Sequence, residues 1–531
     1  MILRLYEKNM KSMRFFIAAV LLAPLFALHA ADTARPATEK LNILFFIADD
    51  CEWDSAGIYG CPIRDITPNI DRLAFQGERF MNAYSTVAVC TPVRATMMTG
   101  LLPHHNGCEG FEPIRNDVTT LNERLHQAGY FISMFGKNGT YKPHAKYCID
   151  DEWQSERGNR NPPKVYEYVK EVVTRAQRAG KPFFCQMNCA DPHRPFFGSP
   201  EEKEAMEKYP DRYGTPSRII RSDEVPMPPF LDDIPSVRTE VAQYFNCVKR
   251  LDDSVGAALK ALDDCGMAGD TLVLYYGGDH GMSFPFSKSN AYLQSNHGGL
   301  VIRWPGVVAS NSVVSEPMVS TLDFTPTLLD AAKLPPIPDL DGRSFLPLLL
   351  GGKQDHRDEV FCYYYRTAGE QLYNMRAIHT RTDTYIWNPW SDGAARYQAE
   401  NMSGLSWKAM LAAGKTDPAL KARCDYYLHR APEEYFVSAN DTGQRENLIN
   451  DPSCQPRICW LQVELQKHLT ETGDPLAAWF PKRRDPVAMA QLHKQLETEH
   501  TANSTVQAKQ NKKSAKTPAP QGRATDPDES R

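Results

Sequence analysis

Residues 41–50, LNILFFIADD, form an unbroken apolar run that ends in two carboxylates. A run of this length without polar alternation is typical of a strand buried on both faces, as in a parallel sheet. The carboxyl ends of such strands are where α/β proteins bind their ligands. The stretch therefore predicts a parallel strand that delivers Asp49 and Asp50 to the ligand-binding edge of a sheet.

Helical segments alternate with further strands of this kind. TPNIDRLAFQGERF has Thr67 as its N-cap, a proline in the first turn and a glycine at its end, and the segment from Thr120 to Gly129 repeats this pattern. PFFCQMNCADPH and TLVLYYGGDH are apolar runs that stop at polar residues. The alternation predicts an α/β domain over residues 41–345, with a large mixed, mostly parallel sheet flanked by helices.

The sequence pattern changes after residue 345. FCYYYR and YNMRAIHTRTDTYIWN predict antiparallel strands and CWLQVELQKHLTE predicts a helix, so a smaller C-terminal α+β subdomain is expected over residues 346–495. FCYYYR is interpreted as a strand rather than a sugar-stacking surface, because tyrosine favours strands. Residues 500–531 contain almost no large apolar side chains and predict a disordered tail.

The N-terminus carries a basic stretch, MILRLYEKNMKSMR, followed by the apolar run FFIAAVLLAPLFALHAAD. The run is short for a membrane span and ends in small residues, which is typical of a secretory signal peptide over residues 1–31, cleaved near Ala30 or Ala31. An uncleaved membrane anchor is the alternative. A signal peptide predicts a periplasmic or secreted protein without stable membrane insertion.

Charge and cysteine content narrow the class of protein. The formal net charge is −5 and the 60 basic residues are spread along the chain, so no basic patch predicts nucleic-acid binding. Thirteen cysteines in an exported chain allow disulfides and leave one over. Cys454 with Cys459, and Cys51 with Cys61, are close enough in sequence to pair, whereas Cys90 is our choice for the unpaired cysteine.

AVCTPVRATMMTG, residues 88–100, surrounds that cysteine. Cys90 lies at the start of a predicted helix with Pro92 in its first turn, where backbone N–H groups have no intrahelical partner. Such a position favours negative charge, and it suits either a thiolate nucleophile or an anionic substrate.

The segment fits a Cys-x-Pro-x-Arg signature followed by Thr-Gly, and the chain resembles the type I formylglycine-dependent sulfatases of the alkaline phosphatase superfamily from about residue 41 to 480. DPHRPF and FPFSKSN most resemble the heparan N-sulfatase (sulfamidase) branch. The resemblance implies an alkaline phosphatase-like sulfatase fold. Other matching stretches occur in family order: NILFFIADD, TPNIDRLAFQGERFMNAY, QAGYFISMFGK, DPHRPF, GGDHGMSFPFSK, LVIRWPG and DFTPTLLDAAKLPPIPDLDGRSFLPLLLG.

The resemblance further implies that a maturation enzyme oxidises Cys90 to formylglycine, an aldehyde whose hydrate carries two hydroxyls. One hydroxyl attacks sulfur, and the other then loses its proton and expels sulfate, which restores the aldehyde. Val93 stands where the family often has serine.

Metal ligands are implied in the same way: Asp49, Asp50, Asp279 and His280, with an oxygen of modified Cys90. Three carboxylates suit one hard divalent cation, for which calcium is the first choice. Many sulfatases have Asn at the position of His280, and the softer imidazole leaves manganese and magnesium open. Related phosphonate monoester hydrolases share the Asp-His pair.

The resemblance assigns roles to four more residues. Arg94 is expected to steady the formylglycine and the metal ligands, and Lys137 and Lys288 to bind the sulfate oxygens. His193, in DPHRPF, is expected to act as general acid at the leaving group, because an imidazole titrates in the useful range.

The chain also departs from the family pattern. Gly139 stands where members commonly have a histidine that contacts formylglycine. Either another residue supplies that contact, for which nearby His144 is the candidate, or turnover is altered. His297 occupies a position where the family usually has arginine. His104 and His105 are expected to be structural or to lie at the pocket rim.

Together these features predict a sulfuric ester or sulfamide hydrolase that removes sulfate from a carbohydrate. N-sulfoglucosamine or an O-sulfated glycan, heparan-type first, is the expected substrate. The alternatives are a phosphonate or phosphate ester hydrolase on the same scaffold and, because of Gly139, a non-catalytic protein that binds sulfated glycans.

Overall fold

Strand β1 (Asn42–Asp49) is fully buried and lies in the middle of a large sheet, as the opening stretch predicts. The computed structural model describes residues 40–353 and 357–514, with side chains as far as residue 501, so the predicted signal peptide, residues 1–31, lies outside the described residues. The other strands of this sheet are β2 (Glu78–Tyr84), β3 (Phe131–Phe135), β4 (Asp151–Trp153), β5 (Phe183–Pro192), β6 (Thr271–Tyr276), β7 (His297–Arg303), β8 (Ser312–Val314) and β9 (Val319–Ser320).

The order of the large sheet is β4-β3-β5-β1-β6-β7-β2-β8, with β9 paired to β2. Strand β1 runs parallel to both neighbours, with Ile43 opposite Phe184 on β5 and Leu272 on β6. Strand β7 is antiparallel to β6 and β2, whereas the remaining pairs of this sheet are parallel. The predicted mixed, mostly parallel sheet is confirmed.

Helices flank this sheet, and their sequences show why they do so. In α5 (Pro162–Ala179), the buried residues Val165, Val169, Val172 and Ala176 recur at helical spacing, which gives the helix one apolar face against β3, β5 and the long helix α7. The helices before residue 353 are α1 (Pro68–Phe75), α2 (Cys90–Thr99), α3 (Pro103–Asn106), α4 (Leu121–Gln127), α5, α6 (Pro200–Lys208), α7 (Pro235–Asp264), α8 (Leu293–Asn296), α9 (Phe324–Ala331) and α10 (Leu346–Leu349).

A second, antiparallel sheet follows residue 357, in the order β10-β11-β12-β13. FCYYYR lies in its first strand, as predicted. Its apolar face packs against the C-terminal helices, with Trp387 in contact with Phe480. The elements are β10 (Glu359–Arg366), β11 (Leu372–Thr380), β12 (Thr384–Trp387), α11 (Leu405–Ala413), α12 (Pro418–Leu428), β13 (Glu433–Phe436), α13 (Gln455–Glu471) and α14 (Pro486–Ser514).

The two sheets belong to one compact unit that begins at Leu41. The backbone N–H of Tyr363 on β10 donates to the carbonyl of Thr86, so the small sheet is joined directly to the segment that precedes α2. The predicted boundary between residues 345 and 346 separates two sheets that share a core, and as a domain boundary it stays a prediction.

The C-terminal tail differs from expectation over part of its length. Helix α14 extends to Ser514, so residues 500–514 are helical where disorder was predicted. Residues 500–514 contain no proline or glycine, so no strong helix breaker interrupts the helix that begins at Pro486. Residues 515–531 lie outside the described residues.

The sequence also allowed disulfide bonds, and a membrane anchor was the alternative to the signal peptide. All thirteen cysteines lie in the described part of the chain and none of them forms a disulfide there, including Cys51, Cys61, Cys454 and Cys459. Between residues 40 and 514, outside the gap at 354–356, no helix is both long and apolar enough to cross a membrane.

Candidate active site

Four metal-ligating side chains meet at the carboxyl edge of the large sheet. Asp49 is the last residue of strand β1 and Asp50 follows it, and Asp279 and His280 follow the parallel neighbour β6. All four are buried, and their potential ligand atoms lie within 4.8 Å of one another. We call these four residues the acidic cluster.

Local backbone geometry brings the two strand ends together. A Cβ atom on Gly278 would lie 2.1 Å from the carbonyl oxygen of Cys51, so only glycine permits this close approach. Asp50 has a φ of 63°, in the left-handed region that non-glycine residues rarely adopt. Its backbone N–H donates to Oδ1 of Asp279 at 3.2 Å, which ties the two strand ends together. Backbone of this kind persists where the surrounding structure holds it, commonly at functional sites.

Ligand atoms of the acidic cluster are left open. Among the described residues, neither carboxylate oxygen of Asp49 makes a hydrogen bond of good geometry, and Nε2 of His280 makes none. Buried polar atoms normally find a partner. Three carboxylates and one imidazole within a few ångströms, with open lone pairs, fit a divalent cation.

Three basic side chains surround the acidic cluster. Nζ of Lys137 lies 2.5 Å from Oδ2 of Asp49, and Nζ of Lys288 lies 2.9 Å from Oδ1 of Asp50. Nε of Arg94 donates to Oδ2 of Asp279 at 3.0 Å. We call Arg94, Lys137 and Lys288 the three cations.

The charges shift one another's pKa values. Burial acts to raise the pKa of Asp49, but Lys137 and the other nearby basic groups lower it well below its usual range. Burial acts to lower the pKa of Lys288, but Asp50 more than offsets this and raises it. For His280, burial again lowers the pKa, and the carboxylates of Asp279 and Asp50 raise it to about 9. Burial and the nearby Asp49 raise the pKa of Asp279 to about 6, which is still below neutral pH. The carboxylates and the three cations are thus charged together at neutral pH.

Arg94 has two further partners that the sequence did not single out. Its Nη1 donates to Oδ1 of Asn188 at 2.6 Å and to the hydroxyl of Tyr141 at 3.3 Å, and Tyr141 itself donates to Asn188 at 2.8 Å. These bonds fix the guanidinium plane. A polar residue within the apolar run PFFCQMNCADPH was the available signal for Asn188.

Cys90 is the first residue of α2, as predicted, and all ten residues of that helix are buried. The Cys90 side chain contributes to the raised pKa of His280. Cys90 also acts electrostatically on Lys137 and Lys288. The thiol therefore lies with the acidic cluster and the three cations, at a helix N-terminus that favours negative charge.

His193 follows strand β5 and is half-buried. Its Nδ1 lies 2.5 Å from the carbonyl oxygen of Arg194, so the neutral ring carries its proton on Nδ1. Desolvation lowers the pKa of His193 to about 3, and Lys137 and Lys288 add to this effect, whereas Asp50 opposes it. In the absence of a further anion, the ring is neutral.

A cavity of about 970 Å³ opens beside this group and is lined by His193, Lys288 and Glu400. Its far wall comes from α6 and from the start of α11, through residues such as Glu204 and Lys408. The volume is within the range of small-molecule binding sites.

Several histidines considered from the sequence lie elsewhere. Nε2 of His144 is 2.9 Å from Glu152, so His144 does not replace the missing histidine at exposed Gly139. His297 is buried and stacks between Trp53 and Tyr84, with ring centroids 4.2 and 4.8 Å away.

His104 and His105 are structural. Nε2 of each contacts the carbonyl of Thr472, and Nδ1 of His105 lies 2.8 Å from Asp341. These contacts join α3 to the end of α13 and leave neither ring in the cavity lining.

The mostly parallel sheet, the acidic cluster and the buried cysteine at a helix N-terminus define an α/β protein with a candidate active site at the carboxyl edge of its large sheet. The sulfatase family model matches residues 41–334, more than half of the chain, and the protein belongs to the sulfatase family. It is therefore a hydrolase of sulfate ester or sulfamate groups.

Comparison with individual proteins agrees with this assignment. The chain is 29% identical to human N-sulphoglucosamine sulphohydrolase over 485 residues, which is 82% of this chain and 91% of the relative. A solved structure described as a complex with its substrate D-glucosamine-2-N,6-O-disulfate has a TM-score of 0.58 at 17% identity and covers 82% of this chain and 99% of its own. The phosphonate monoester hydrolase of Agrobacterium radiobacter has a TM-score of 0.61 at 17% identity, with 82% and 96% covered. The two structures bear on the fold alone.

Proposed function

We propose that this protein is an exported sulfatase that removes sulfate from a carbohydrate, with the N-sulfo group of a terminal glucosamine as its first substrate. The observation that carries the proposal is the convergence of Cys90, the acidic cluster and the three cations at one buried sheet edge. The likeness to a human N-sulphoglucosamine sulphohydrolase supports the choice of an N-sulfated amino sugar.

Charge balance supports an anionic substrate. Asp49, Asp50 and Asp279 carry three negative charges, and Arg94, Lys137 and Lys288 carry three positive ones. One divalent cation held by the acidic cluster, with His280 deprotonated as its ligand, would leave the site with two positive charges in a desolvated environment. A sulfuryl group that gains negative charge as it is transferred is stabilised there.

Calcium is the first choice for the metal, because three of its four protein ligands are carboxylates; manganese or magnesium remain open because of His280. Bound by Asp49, Asp50, Asp279 and His280, the metal supplies Lewis-acid polarisation of the sulfuryl oxygens, and Cys90, oxidised to formylglycine by a maturation enzyme, supplies the nucleophilic hydroxyl.

The remaining steps belong to side chains of this chain. Lys137 and Lys288 orient the sulfuryl oxygens, and Arg94, fixed by Asn188 and Tyr141, holds Asp279 in place. His193 is proposed as the acid for the leaving nitrogen. Its ring is neutral until an anion binds, and a sulfamate beside it raises its pKa and favours the imidazolium that donates the proton. Net hydrolysis consumes one water and yields an amine and sulfate.

One experiment tests both the proposed formylglycine at Cys90 and the proposed substrate. Protein exported from a host that carries the maturation enzyme is examined by peptide mass spectrometry at Cys90, and is then assayed on N-sulfoglucosamine, an aryl sulfate and a phosphonate monoester. We expect formylglycine or its hydrate at Cys90 and sulfate release from the sugar. An intact thiol in active protein contradicts the covalent mechanism.

The assay panel also decides between the alternatives. Faster turnover of the phosphonate than of either sulfate favours the phosphonate or phosphate ester hydrolase, which His280 and the fold neighbour make relevant. Tight binding of sulfated sugar without release favours the non-catalytic glycan-binding protein. N-terminal sequencing of the exported protein tests the proposed signal peptide, with a mature start at Ala31 or Asp32 expected.

A further inference from the structure

A carboxylate from the C-terminal part of the chain lies at the mouth of the active site. Glu400 begins a short 3₁₀ turn, Glu400–Met402, and lines the cavity together with His193 and Lys288. Its Oε1 is 4.0 Å from Nζ of Lys288, and its side chain is 28% exposed. No expectation from the sequence pointed to this residue.

One carboxylate oxygen of Glu400 accepts a hydrogen bond from the protein, and the other is available to a ligand. The hydroxyl of Ser289 donates to Oε1 at 2.8 Å, whereas Oε2 makes no hydrogen bond with any described residue. Glu240 on the same cavity wall is different: Oε1 accepts from Arg194 at 2.7 Å and Oε2 accepts from the backbone of Ser406 at 2.7 Å. Glu400 therefore keeps an acceptor for a ligand.

The backbone around Glu400 is firmly anchored. The side-chain amide of Asn401 donates to the carbonyl of Lys288 and to the hydroxyl of Tyr427 at 2.8 Å. Asn290 also donates to the Lys288 carbonyl, at 3.0 Å, and Ser289 has a φ of 63°. These hydrogen bonds join the turn to the Lys288 segment. They keep the Glu400 carboxylate at a fixed distance from Lys288, the proposed sulfate-binding residue.

We infer that Glu400 determines specificity for the sugar that carries the sulfuryl group. Its open oxygen accepts a hydrogen bond from a hydroxyl next to the cleaved group, and its negative charge disfavours a uronate or a second sulfate at that place. The preferred substrate is a sulfated sugar with a neutral hydroxyl flanking its sulfuryl group. This inference rests on the proposed function, because it takes Lys288 as the sulfate-binding end.

The test separates sugar recognition from sulfate recognition. Metal-loaded Cys90→Ala protein binds substrate without turning it over, and calorimetry compares it with Cys90→Ala/Glu400→Ala. Binding of N-sulfoglucosamine is expected to weaken about tenfold to a hundredfold, as for loss of a charged hydrogen bond, with binding of inorganic sulfate changed less than about twofold. The matched control, Cys90→Ala/Glu207→Ala, removes an exposed carboxylate of α6 outside the cavity lining and is expected to change neither.

Analogues sharpen the same measurement. The 1-deoxy and 3-deoxy forms of N-sulfoglucosamine each lack one hydroxyl that flanks the sulfamate, and we expect one of them to bind equally well with and without Glu400. Equal weakening of sugar and sulfate would overturn the inference, because Glu400 would then act only through Lys288, and unchanged sugar binding would overturn it as well. Failure of the proposed function appears separately, as the absence of sulfate release by unsubstituted protein.

Discussion

Two buried charge clusters lie on neighbouring strands of the large sheet and are built differently. Near the end of β5, Nε and Nη2 of Arg250 donate to both oxygens of Asp191 at 2.7 and 2.9 Å, and Nη1 donates to Glu202 at 2.8 Å. At the end of β1, Oδ1 of Asp49 and Nε2 of His280 make no hydrogen bond of good geometry with any described residue, and Oδ2 of Asp49 faces the Lys137 ammonium at 2.5 Å. Both groups of side chains are essentially fully buried.

The difference separates charges that hold the fold from charges that wait for a ligand. A buried ion pair used only for structure has to satisfy its partners, because an unpaired buried charge costs several kcal/mol. The Arg250 cluster does so with its own side chains. The acidic cluster leaves ligand atoms unsatisfied at a helix N-terminus, and this pattern is expected where a metal and an anion complete the site.

Among the substitutions that test this comparison, removal of the proposed nucleophile is expected to have the largest effect. Cys90→Ala is expected to lower kcat/KM for sulfate release by at least about 10⁴-fold, because no other side chain replaces a covalent nucleophile. Steady-state sulfate release measures the effect. Cys185→Ala, a buried cysteine on β5, serves as the control and should retain turnover. Comparable loss in both variants would mean that the thiol position matters only for packing.

Metal binding tests whether the acidic cluster is a ligand site. Asp49→Asn is expected to abolish stoichiometric binding of a divalent metal and to lower kcat/KM by about 10³-fold, because the charge that offsets the developing negative charge is lost. Metal analysis by mass spectrometry and the sulfate assay check both. Asp223→Asn, an exposed carboxylate paired with Arg221, is the control and should change neither. Retention of the metal in Asp49→Asn would remove this residue from the ligand set.

A substitution in the Arg250 cluster should change the stability of the protein and not its metal binding. Arg250→Met leaves Asp191 and Glu202 without their main cation and is expected to reduce the free energy of unfolding by about 3–5 kcal/mol, with metal content unchanged. Denaturant unfolding measures the loss. Arg221→Met, whose partner Asp223 is exposed, should leave the unfolding midpoint essentially unchanged, because solvent screens an exposed ion pair. Similar small losses in both variants would show that the buried network adds no stability.

Sequence patterns predicted the parts of the site that follow from sheet topology. Parallel strands end at one edge, so the runs ending in Asp49 and in Asp279 had to bring those carboxylates together. The N-terminus of α2 followed from Pro92 in its first turn. These features depend on local chain preferences and on a single pairing of strands.

Features that depend on distant packing were beyond the sequence. His144 follows Lys137 closely, yet the turn His144–Tyr147 directs it to Glu152. Glu400 reaches the cavity because Asn401 and Tyr427 of the C-terminal part hold the Lys288 segment. No spacing or periodicity near residue 400 encodes that contact, since it depends on how the small sheet packs beside the large one.

A third buried pair extends the comparison to the small sheet and gives the smallest expected effect. Nε of Arg376 on β11 bonds Asp474 at 2.8 Å, and the backbone N–H of Leu476 donates to the same carboxylate at 2.8 Å. Burial acts to raise the pKa of Asp474, but Arg376 and these hydrogen bonds lower it below its ordinary value. Like the Arg250 cluster, the pair is satisfied within the protein and should serve stability alone.

The lowered pKa fixes the sign of the pH dependence. A carboxyl whose pKa is lower in the folded protein adds stability above its unfolded pKa of about 3.9 and loses that contribution as pH falls through the folded value. Asp474→Asn is therefore expected to cost about 2 kcal/mol at pH 7, and the difference from the unsubstituted protein should shrink below about pH 4. Urea unfolding between pH 3 and 7 measures it. A difference that stays constant over this range would show that Asp474 contributes through packing and not through its charge, and sulfate release at pH 7 should be unaffected in either case.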